Sequence, residues 1–343
     1  MAALWTGEFH EDWRYAFAVG ALRVLQTRLL ESSRLNDLAN SLNLDEMITR
    51  LAGTPYSPST EGSTVSQQIE ARLKHLRRAA YELIIPMCLD EPLKRFLQGP
   101  EDFRNLKILL RCTLIENSPE LPLSDLGFIP PEKLQQDFEA EKYDSFEPDM
   151  AQAVQDAIVD YYDDKNPRNI DLAVDRKALS YRRTLARQLN NEYLLHLCDL
   201  LADLGNIRSM ARLKWLEEDS KLLARAFLPG GSIELARLRA AMSASWEAIS
   251  AMFFATPYTQ LVEHGLGSLA ADDSFGHLER YCDDYLTEYL KATNQVVAGP
   301  EPLVAYLLGA EQEIRSVRLI FSAKQANLPA DTIRDRLAVS FAT

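Results

Sequence analysis

Three pairs of adjacent aspartates are the residues of this sequence best suited to metal chemistry. They are Asp163-Asp164, Asp272-Asp273 and Asp283-Asp284. All-helical enzymes of isoprenoid chemistry bind magnesium diphosphate through Asp-Asp-x-x-Asp motifs, because carboxylate oxygens are the ligands that Mg²⁺ prefers. None of the three pairs has the acid that completes the motif, and the first two lead into Asn-Pro and Ser-Phe-Gly, which are typical of loops. The acid pairs therefore argue against an enzyme of this class.

Other catalytic and cofactor patterns are also missing. The five histidines are far apart and form neither a His-x-x-x-His pair nor a His-Glu-x-x-His zinc motif. The pair Gly230-Gly231 is followed by Ser-Ile-Glu instead of Gly-Lys-Ser/Thr, so it predicts the end of a helix and not a phosphate-binding loop. The four cysteines are widely spaced, as expected of reduced thiols in a cytoplasmic protein. We predict no catalytic residue, no cofactor and no metal site.

The charge and hydrophobicity of the chain limit its partners. The net charge is −13, which argues against nucleic acid and against a polybasic contact with anionic lipid. The N-terminus lacks the basic and apolar segments of a signal peptide. The longest uncharged apolar stretch, residues 83–89, is far shorter than the roughly 20 residues that cross a bilayer. We therefore expect no direct membrane span.

A repeated pattern organises the chain. Residues 102–111 and 203–212 both read Asp-x-x-Asn-aliphatic-basic-x-x-x-Arg and stand 101 residues apart, and a degenerate copy covers residues 313–318. Recurrence at a fixed offset is the signature of a repeat architecture. The positions that define the repeat are Asp102, Asn105, Arg111, Asp203, Asn206, Arg212, Glu313 and Arg318.

The elements that carry these residues are predicted to be helices. Only 14 glycines in 343 residues and few alternating β-branched residues leave little room for strands. We predict an all-α fold of three similar helical domains, residues 1–118, 119–227 and 228–343, packed as one body. Asp203 and Asn206 lie one turn apart on one helix face, so we expect both to contact one neighbouring helix.

Prolines and glycines predict where the helices end. Pro86 should kink or interrupt a long helix over residues 66–97. The pair Gly99-Pro100 should separate that helix from the next, with Pro100 at a first helical position. The helix that carries Asp203 should run from about residue 191 to 227 and end at Leu228-Pro229-Gly230-Gly231.

A Thr-Pro-Tyr tripeptide occurs twice, at residues 54–56 and 256–258. The spacing of 202 residues is twice the repeat length. The simplest interpretation is a turn between helices, in which proline fixes the backbone and tyrosine anchors the turn to the core. A specific binding role is the alternative.

Together these features resemble the C subunit of the V/A-type rotary ATPase, whose equivalent in the eukaryotic vacuolar enzyme is called the d subunit. The resemblance is carried by residues 302–308 and 311–320, the Asp-x-x-Asn helices, Leu228-Pro229-Gly230-Gly231 and the Thr-Pro-Tyr turns, and it runs from Tyr15 to Leu337. The sequence departs from the family pattern at residues 15–24, which lack the Asp and Asn, and at Ser316, where the family favours Asn.

The resemblance implies three domains around a pseudo-three-fold axis in a funnel-like arrangement, and a non-catalytic role. Such a subunit lies on the cytoplasmic face of the membrane, on the ring of proteolipid subunits, and receives the axle subunits (D and F). It transmits torque during ion transport or ATP synthesis. We expect loops to form the contacts, and the candidate residues are Thr54, Tyr56, Gly127, Gly230, Gly231, Thr256 and Tyr258.

A free-standing helical-repeat scaffold for protein binding is the alternative from another class. Tetratricopeptide arrays repeat about every 34 residues, and this sequence shows no such short period.

Overall fold

The structure is a computed structural model that describes residues 5–58, 62–116, 119, 122–272 and 274–342. Within these residues the chain forms sixteen α-helices and four short 3₁₀ turns, without a β-strand, so the predicted all-α class is confirmed. The α-helices are α1 (Ala16–Gln26), α2 (Ser32–Ala39), α3 (Leu44–Leu51), α4 (Val65–Ile84), α5 (Glu91–Leu114), α6 (Pro131–Glu139), α7 (Pro148–Asp164), α8 (Arg168–Gln188), α9 (Glu192–Trp215), α10 (Ser220–Ala226), α11 (Leu235–Ser243), α12 (Trp246–Met252), α13 (Thr259–Asp272), α14 (Gly276–Lys291), α15 (Glu301–Gln325) and α16 (Ala330–Arg334).

The helices form two compact units. One consists of residues 1–89 and 253–343, and the other of residues 90–252. We call them the terminal unit and the middle unit. The division into three domains at residues 118 and 227 stays a prediction, as does the funnel-like arrangement.

Helix α15 forms the centre of the terminal unit. Eighteen of its 25 residues are buried, so it has almost no solvent-facing side. It packs against α1, α2, α3, α4, α14 and α16. Ile314, Val317 and Phe321 recur at intervals of three and four and join one apolar cluster with Met47 of α3 and Leu73 of α4. This packing explains why a helix with so weak an amphipathic pattern is stable.

Helices α5, α8 and α9 build the middle unit. Helix α8 packs against α5, α7 and α9, and α9 also packs against α10 and α11. Side-chain caps set the start of several helices in the chain. Asn191 accepts a hydrogen bond from the Leu194 amide at 2.9 Å, and Thr64 forms a capping box with Gln67 at the start of α4.

The two prolines predicted to end helices behave differently. Pro86 lies in a 3₁₀ turn between α4 and α5, so the predicted interruption is confirmed. The prediction for Pro100 is wrong, because α5 continues through it. A proline inside a helix costs about 3 kcal/mol, and here packing against α8 offsets that cost. Gly99 lies so close to Tyr181 that a Cβ would come within 2.8 Å of its ring, and the Phe103 and Tyr181 ring centroids are 5.6 Å apart.

The helix that carries Asp203 is shorter than predicted. Helix α9 ends at Trp215, and α10 begins at Ser220. Glu217, between them, has a φ of 55°, the left-handed conformation that commonly ends a helix. That position usually holds glycine, so a glutamate there gives no signal in the sequence.

Candidate partner interface

The Asp-x-x-Asn motif of α9 holds the loop that follows α10. The Asn206 side chain pairs with the backbone of Leu228, donating to its carbonyl oxygen at 2.9 Å and accepting from its amide at 2.8 Å. The Asp203 carboxylate accepts from the amides of Ser232 at 2.8 Å and Ile233 at 3.0 Å. Both side chains are 1% exposed. The partner of these hydrogen bonds is a loop, where we expected a neighbouring helix.

The first copy of the motif forms the same hydrogen bonds to the backbone of its loop, and the second copy adds one from the Ser232 hydroxyl to Asp203 at 2.7 Å. Asn105 donates to the Ser124 carbonyl oxygen at 2.8 Å and accepts from the Ser124 amide at 2.7 Å. Asp102 accepts from the amides of Phe128 at 3.1 Å and Ile129 at 3.0 Å. We call residues 124–129 and 228–233 the clamped loops. In each loop, the first residue pairs with the Asn, and the fifth and sixth donate to the Asp.

Glycine is required at the fourth position of both clamped loops. A Cβ on Gly127 would overlap Oδ1 of Asp102, and a Cβ on Gly231 would overlap Oδ1 of Asp203. Gly230, at the third position of its loop, has a φ of 108°, which side-chain-bearing residues rarely adopt. The three glycines are therefore explained by the loop structure itself, whatever the loops contact.

The clamped loops are also held through their carbonyl groups, by residues that the sequence analysis missed. Gln98 donates to the carbonyl oxygens of Leu126 at 3.1 Å and Gly127 at 2.9 Å. Arg183 donates to the Gly230 carbonyl oxygen at 2.8 Å and is paired with Asp199. Gln98 and Asp199 stand 101 residues apart, so the repeat offset was the signal that could have revealed both.

The third copy of the motif has a different partner. Glu313 is 6% exposed and accepts from the Leu30 amide at 2.6 Å and the Tyr56 hydroxyl at 2.7 Å. It thus connects α15 to the segment after α1 and to the first Thr-Pro-Tyr turn. Burial raises the pKa of Glu313 to about 7, although both hydrogen bonds lower it. Burial likewise raises the pKa of Asp102 to about 7, against the effect of its two amide donors.

The two Thr-Pro-Tyr turns have one structure. The hydroxyls of Thr54 and Thr256 each donate at 2.7 Å to the carbonyl oxygen three residues earlier, and each accepts from the tyrosine amide two residues later. Tyr56 and Tyr258 are both 5% exposed, which confirms that they anchor the turns to the core. The residues before each tyrosine, Pro55 and Pro257, are exposed. Any partner contact at these turns therefore involves the turn backbone and the prolines more than the tyrosine rings.

Removing the threonine hydroxyl should lower the free energy of unfolding by the same amount at both Thr-Pro-Tyr turns. We expect Thr54→Val and Thr256→Val each to lower the free energy of unfolding by about 1 to 2 kcal/mol. The substitution keeps the side-chain shape and loses both hydrogen bonds of the hydroxyl, the one to a carbonyl oxygen and the one from a tyrosine amide. Urea unfolding followed by circular dichroism measures this. The exposed Thr27, whose hydroxyl donates to the Val24 carbonyl oxygen at 2.8 Å without capping a turn amide, provides the control as Thr27→Val. A loss of unfolding free energy at one turn and none at the other would contradict the structural equivalence of the two Thr-Pro-Tyr turns.

The arginines of the repeat take no part in clamping the loops. Arg111 pairs with Asp171 of α8, and Arg318 pairs with Glu70 of α4 at 3.0 Å. Arg212 lies on the exposed face of α9. The motif therefore has two parts: acid and amide residues that hold a backbone, and arginines placed on other surfaces of the same helices.

The acid pairs form no metal site in the part of the chain that the structure describes. Asp163 and Asp164 both pair with Arg225. Asp284 accepts from the Val339 amide at 2.6 Å. Asp273 lies outside the described residues. Among the residues described, no three histidine, cysteine or acidic side chains are grouped to hold a metal ion, and none of the helices combines the length and apolar character needed to cross a membrane.

Comparison with known proteins gives a match over almost the whole chain. The C subunit of the V-type sodium ATPase of Enterococcus hirae is 22% identical over 325 residues, which cover 92% of this chain and 95% of the relative. The C subunit of the A-type ATP synthase of Methanocaldococcus jannaschii is 23% identical over 347 residues, which cover 94% of this chain and 86% of the relative. The C subunit of the A-type ATP synthase of Thermococcus kodakarensis is 22% identical over 338 residues, which cover 94% of this chain and 89% of the relative.

The family model described as ATP synthase (C/AC39) subunit matches residues 18–336. The match spans both compact units, all copies of the Asp-x-x-Asn motif and both Thr-Pro-Tyr turns. The resemblance inferred from the repeat is thereby confirmed. The chain belongs to the ATP synthase (C/AC39) subunit family.

Proposed function

We propose that this chain is the central-stalk adaptor of a V/A-type rotary ATPase or synthase. Its family is a structural, non-catalytic component of that complex. In the proposed role the chain couples the axle subunits (D and F) to the proteolipid ring and transmits torque between them. It does so at the cytoplasmic face of the membrane, bound peripherally. The single observation that carries the proposal is the family match over residues 18–336.

The clamped loops support a mechanical role. An element that transmits torque must not yield under load, and an unsupported surface loop is the part of a protein that yields most easily. Two buried side chains fix residues 124–129 by four hydrogen bonds, two others fix residues 228–233 by five, and further hydrogen bonds bind the carbonyl groups of both loops. Both copies of the motif therefore use buried polar side chains to make a surface loop rigid. We infer that stiff loops serve as contact points.

The residues proposed for partner contact are those around the clamped loops and the Thr-Pro-Tyr turns. Asp125, Pro229, Gly230 and Ser232 are exposed, so the clamped loops present a surface while their anchors are buried. The three-domain division and the funnel-like arrangement belong to this proposal as well, since they would place the copies of the loop at equivalent positions around the axle.

Affinity purification from membranes tests the proposal. A tagged chain is expressed in its native cells, the membranes are extracted with a mild detergent, and the partners are identified by mass spectrometry. We expect both axle subunits and the proteolipid to be recovered together. Recovery of none of them, with the chain entirely in the soluble fraction at several salt concentrations, would overturn the proposal and favour the free-standing scaffold.

A further inference from the structure

The first helix of the chain has an exposed apolar stripe. Trp13, Phe17, Gly20 and Val24 follow one another at intervals of four, three and four residues, so they lie on one face of the 3₁₀ turn Trp13–Tyr15 and α1. Trp13 is 65% exposed, Phe17 87% and Val24 60%. The opposite face of the helix is buried and packs against α15. Packing against the core therefore explains the apolar residues on the buried face of α1 but not those on its exposed face.

A neighbouring segment adds to this apolar surface. The Asp12 amide donates to the Ala298 carbonyl oxygen at 3.1 Å, and the Arg23 guanidinium donates to the Val296 carbonyl oxygen at 2.8 Å. These bonds hold residues 296–298 beside the helix, where the Val297 side chain is 62% exposed. We call Trp13, Phe17, Gly20, Val24 and Val297 the α1 stripe. Two aromatic and two valine side chains expose on the order of 500 Å² of apolar surface, which is as large as the main patch of a typical monomer and is often functional.

Gly20 forms a notch in the middle of the stripe. A Cβ built on Gly20 would meet no atom within 4 Å, so nothing inside the chain requires glycine there. An exposed glycine in a helix costs about 1 kcal/mol relative to alanine. A small residue between large apolar ones lets the backbone of a second helix approach closely. The notch is therefore a feature that a crossing helix would use and that a lipid surface would not.

Charges of opposite sign stand at the two ends of the stripe. Glu8 and Glu11 are exposed before Trp13, and Arg28 is exposed after Val24. None of the three forms a salt bridge with the residues that the structure describes. The other cations nearby are engaged within the chain, since Arg14 pairs with Asp12 and Arg23 binds backbone carbonyl oxygens. A complementary partner carries basic residues at the Glu8 end and an acidic residue at the Arg28 end.

Two other occupants fit these observations less well. A second copy of the chain would bring together two molecules that each carry a net charge of −13, which disfavours their association. An anionic membrane surface attracts clusters of several cations, whereas the stripe has only Arg28 unengaged and carries two acids at its other end.

We propose that the α1 stripe binds an amphipathic helix of a partner protein, which crosses α1 at Gly20 with its own acidic residue near Arg28 and basic residues near Glu8 and Glu11. From Trp13 to Val24 the stripe spans twelve residues, about 16 Å along the helix axis, which matches three turns of the partner. The inference rests on the proposed function only in taking that partner from among the other subunits of the rotary complex.

Site-specific photocrosslinking identifies the occupant. Benzoylphenylalanine replaces Phe17 in the full chain, expressed together with the other subunits, and the detergent-extracted complex is irradiated. We expect one major crosslink, to a helical segment of another subunit with an apolar stripe and charges at its ends. The same photoreactive residue at Val159, which is 68% exposed on α7, should not crosslink to that segment. Crosslinks to lipid alone, to a second copy, or to nothing would overturn the proposal.

Filling the notch tests the geometry without disturbing the fold. Gly20→Leu should reduce recovery of the partner subunit at least tenfold, because the new side chain keeps the two helices apart. Gly267→Leu on α13 is the matched control, since that glycine is also exposed and a Cβ there also meets nothing within 4 Å. Both substitutions favour helix formation. Equal recovery from both variants would reject the α1 stripe as the docking site, and if the wild-type chain still binds the complex, the proposed function is unaffected by that result.

Discussion

Replacing Asp203 by asparagine is expected to lower the free energy of unfolding by about 3 kcal/mol at pH 8. The carboxylate accepts from two backbone amides, one at each oxygen, and Oδ2 also accepts from the Ser232 hydroxyl at 2.7 Å. An asparagine offers one acceptor and one donor, so its NH₂ group must face an amide N–H in a site that is 1% exposed. A buried donor without a partner costs roughly 1 to 3 kcal/mol, and the pair of opposed donors accounts for the expected loss.

Urea unfolding at pH 8 measures this effect, and Asp144→Asn provides the control. Asp144 is exposed in the same unit, so its substitution should change the free energy of unfolding by less than about 0.5 kcal/mol. Asp102→Asn should cost less than Asp203→Asn at pH 8, because burial raises the pKa of Asp102 to about 7 and the neutral amide removes that buried charge while losing one of two amide hydrogen bonds. Limited proteolysis should show faster cleavage in residues 228–233 of Asp203→Asn. A loss below about 1 kcal/mol with unchanged cleavage would show that the clamp does not hold the loop.

Replacing Glu313 by glutamine is expected to remove a pH dependence of stability. Burial raises the pKa of Glu313 from an ordinary value of 4.5 to about 7 in the folded chain. Below pH 4.5 the group is protonated in both states and contributes no difference. Between pH 4.5 and 7 the unfolded chain releases this proton while the folded chain keeps it, so stability falls as the pH rises. The loss amounts to roughly 3 kcal/mol, at 1.4 kcal/mol for each unit of pKa shift.

The measurement is the difference in free energy of unfolding between Glu313→Gln and the wild type at a series of pH values. The pH dependence of the other groups cancels in this difference. Glutamine can accept from the Leu30 amide and donate to the Tyr56 oxygen, because the hydroxyl can act as donor or acceptor. We therefore expect the variant to gain about 3 kcal/mol relative to the wild type between pH 4.5 and pH 8. A difference that is constant over this range would contradict a raised pKa.

Asp203→Asn and Glu313→Gln have opposite expected effects on stability because the hydrogen-bond donors that face the two carboxylates differ. At Glu313 one oxygen faces the Tyr56 hydroxyl, which can reverse its role. At Asp203 each oxygen faces a backbone amide, which cannot, and the Ser232 hydroxyl shares Oδ2 with one of these amides. An amide side chain is thus tolerated in the third copy of the motif and not in the second. The same repeat position has been adapted to two kinds of partner.

Sequence patterns predicted the helical class and the equivalence of the motif copies because both depend on local residue spacing. Asp102 and Asp203 were placed correctly on helices, one turn before Asn105 and Asn206. Their partners were predicted wrongly as a helix, since the loops that they bind lie 19 to 30 residues further along the chain. Helical periodicity contains no information about which later segment returns to a given face.

The wrong helix boundaries have the same origin. Pro100 is tolerated within α5 because Gly99 and Phe103 pack against Tyr181, more than 75 residues away in the sequence. The left-handed Glu217 ends α9 without the glycine that would have indicated it. In both cases tertiary contacts outweigh the local preference that the sequence displays. The exposed α1 stripe has no distinct signal in the sequence for a related reason, because apolar residues occur on both faces of α1 and their spacing does not show which face the core covers.

The proposed function requires this chain to couple ATP turnover to ion movement, and ATP-driven ion uptake by membrane vesicles measures that coupling. Vesicles are prepared from cells that lack the chain and from cells in which it has been restored, and proton uptake, sodium uptake and ATP hydrolysis are measured in both. We expect uptake of the transported ion to be lost without the chain and to recover with it, while the catalytic head still hydrolyses ATP. Undiminished ATP-driven uptake in the absence of the chain would contradict it.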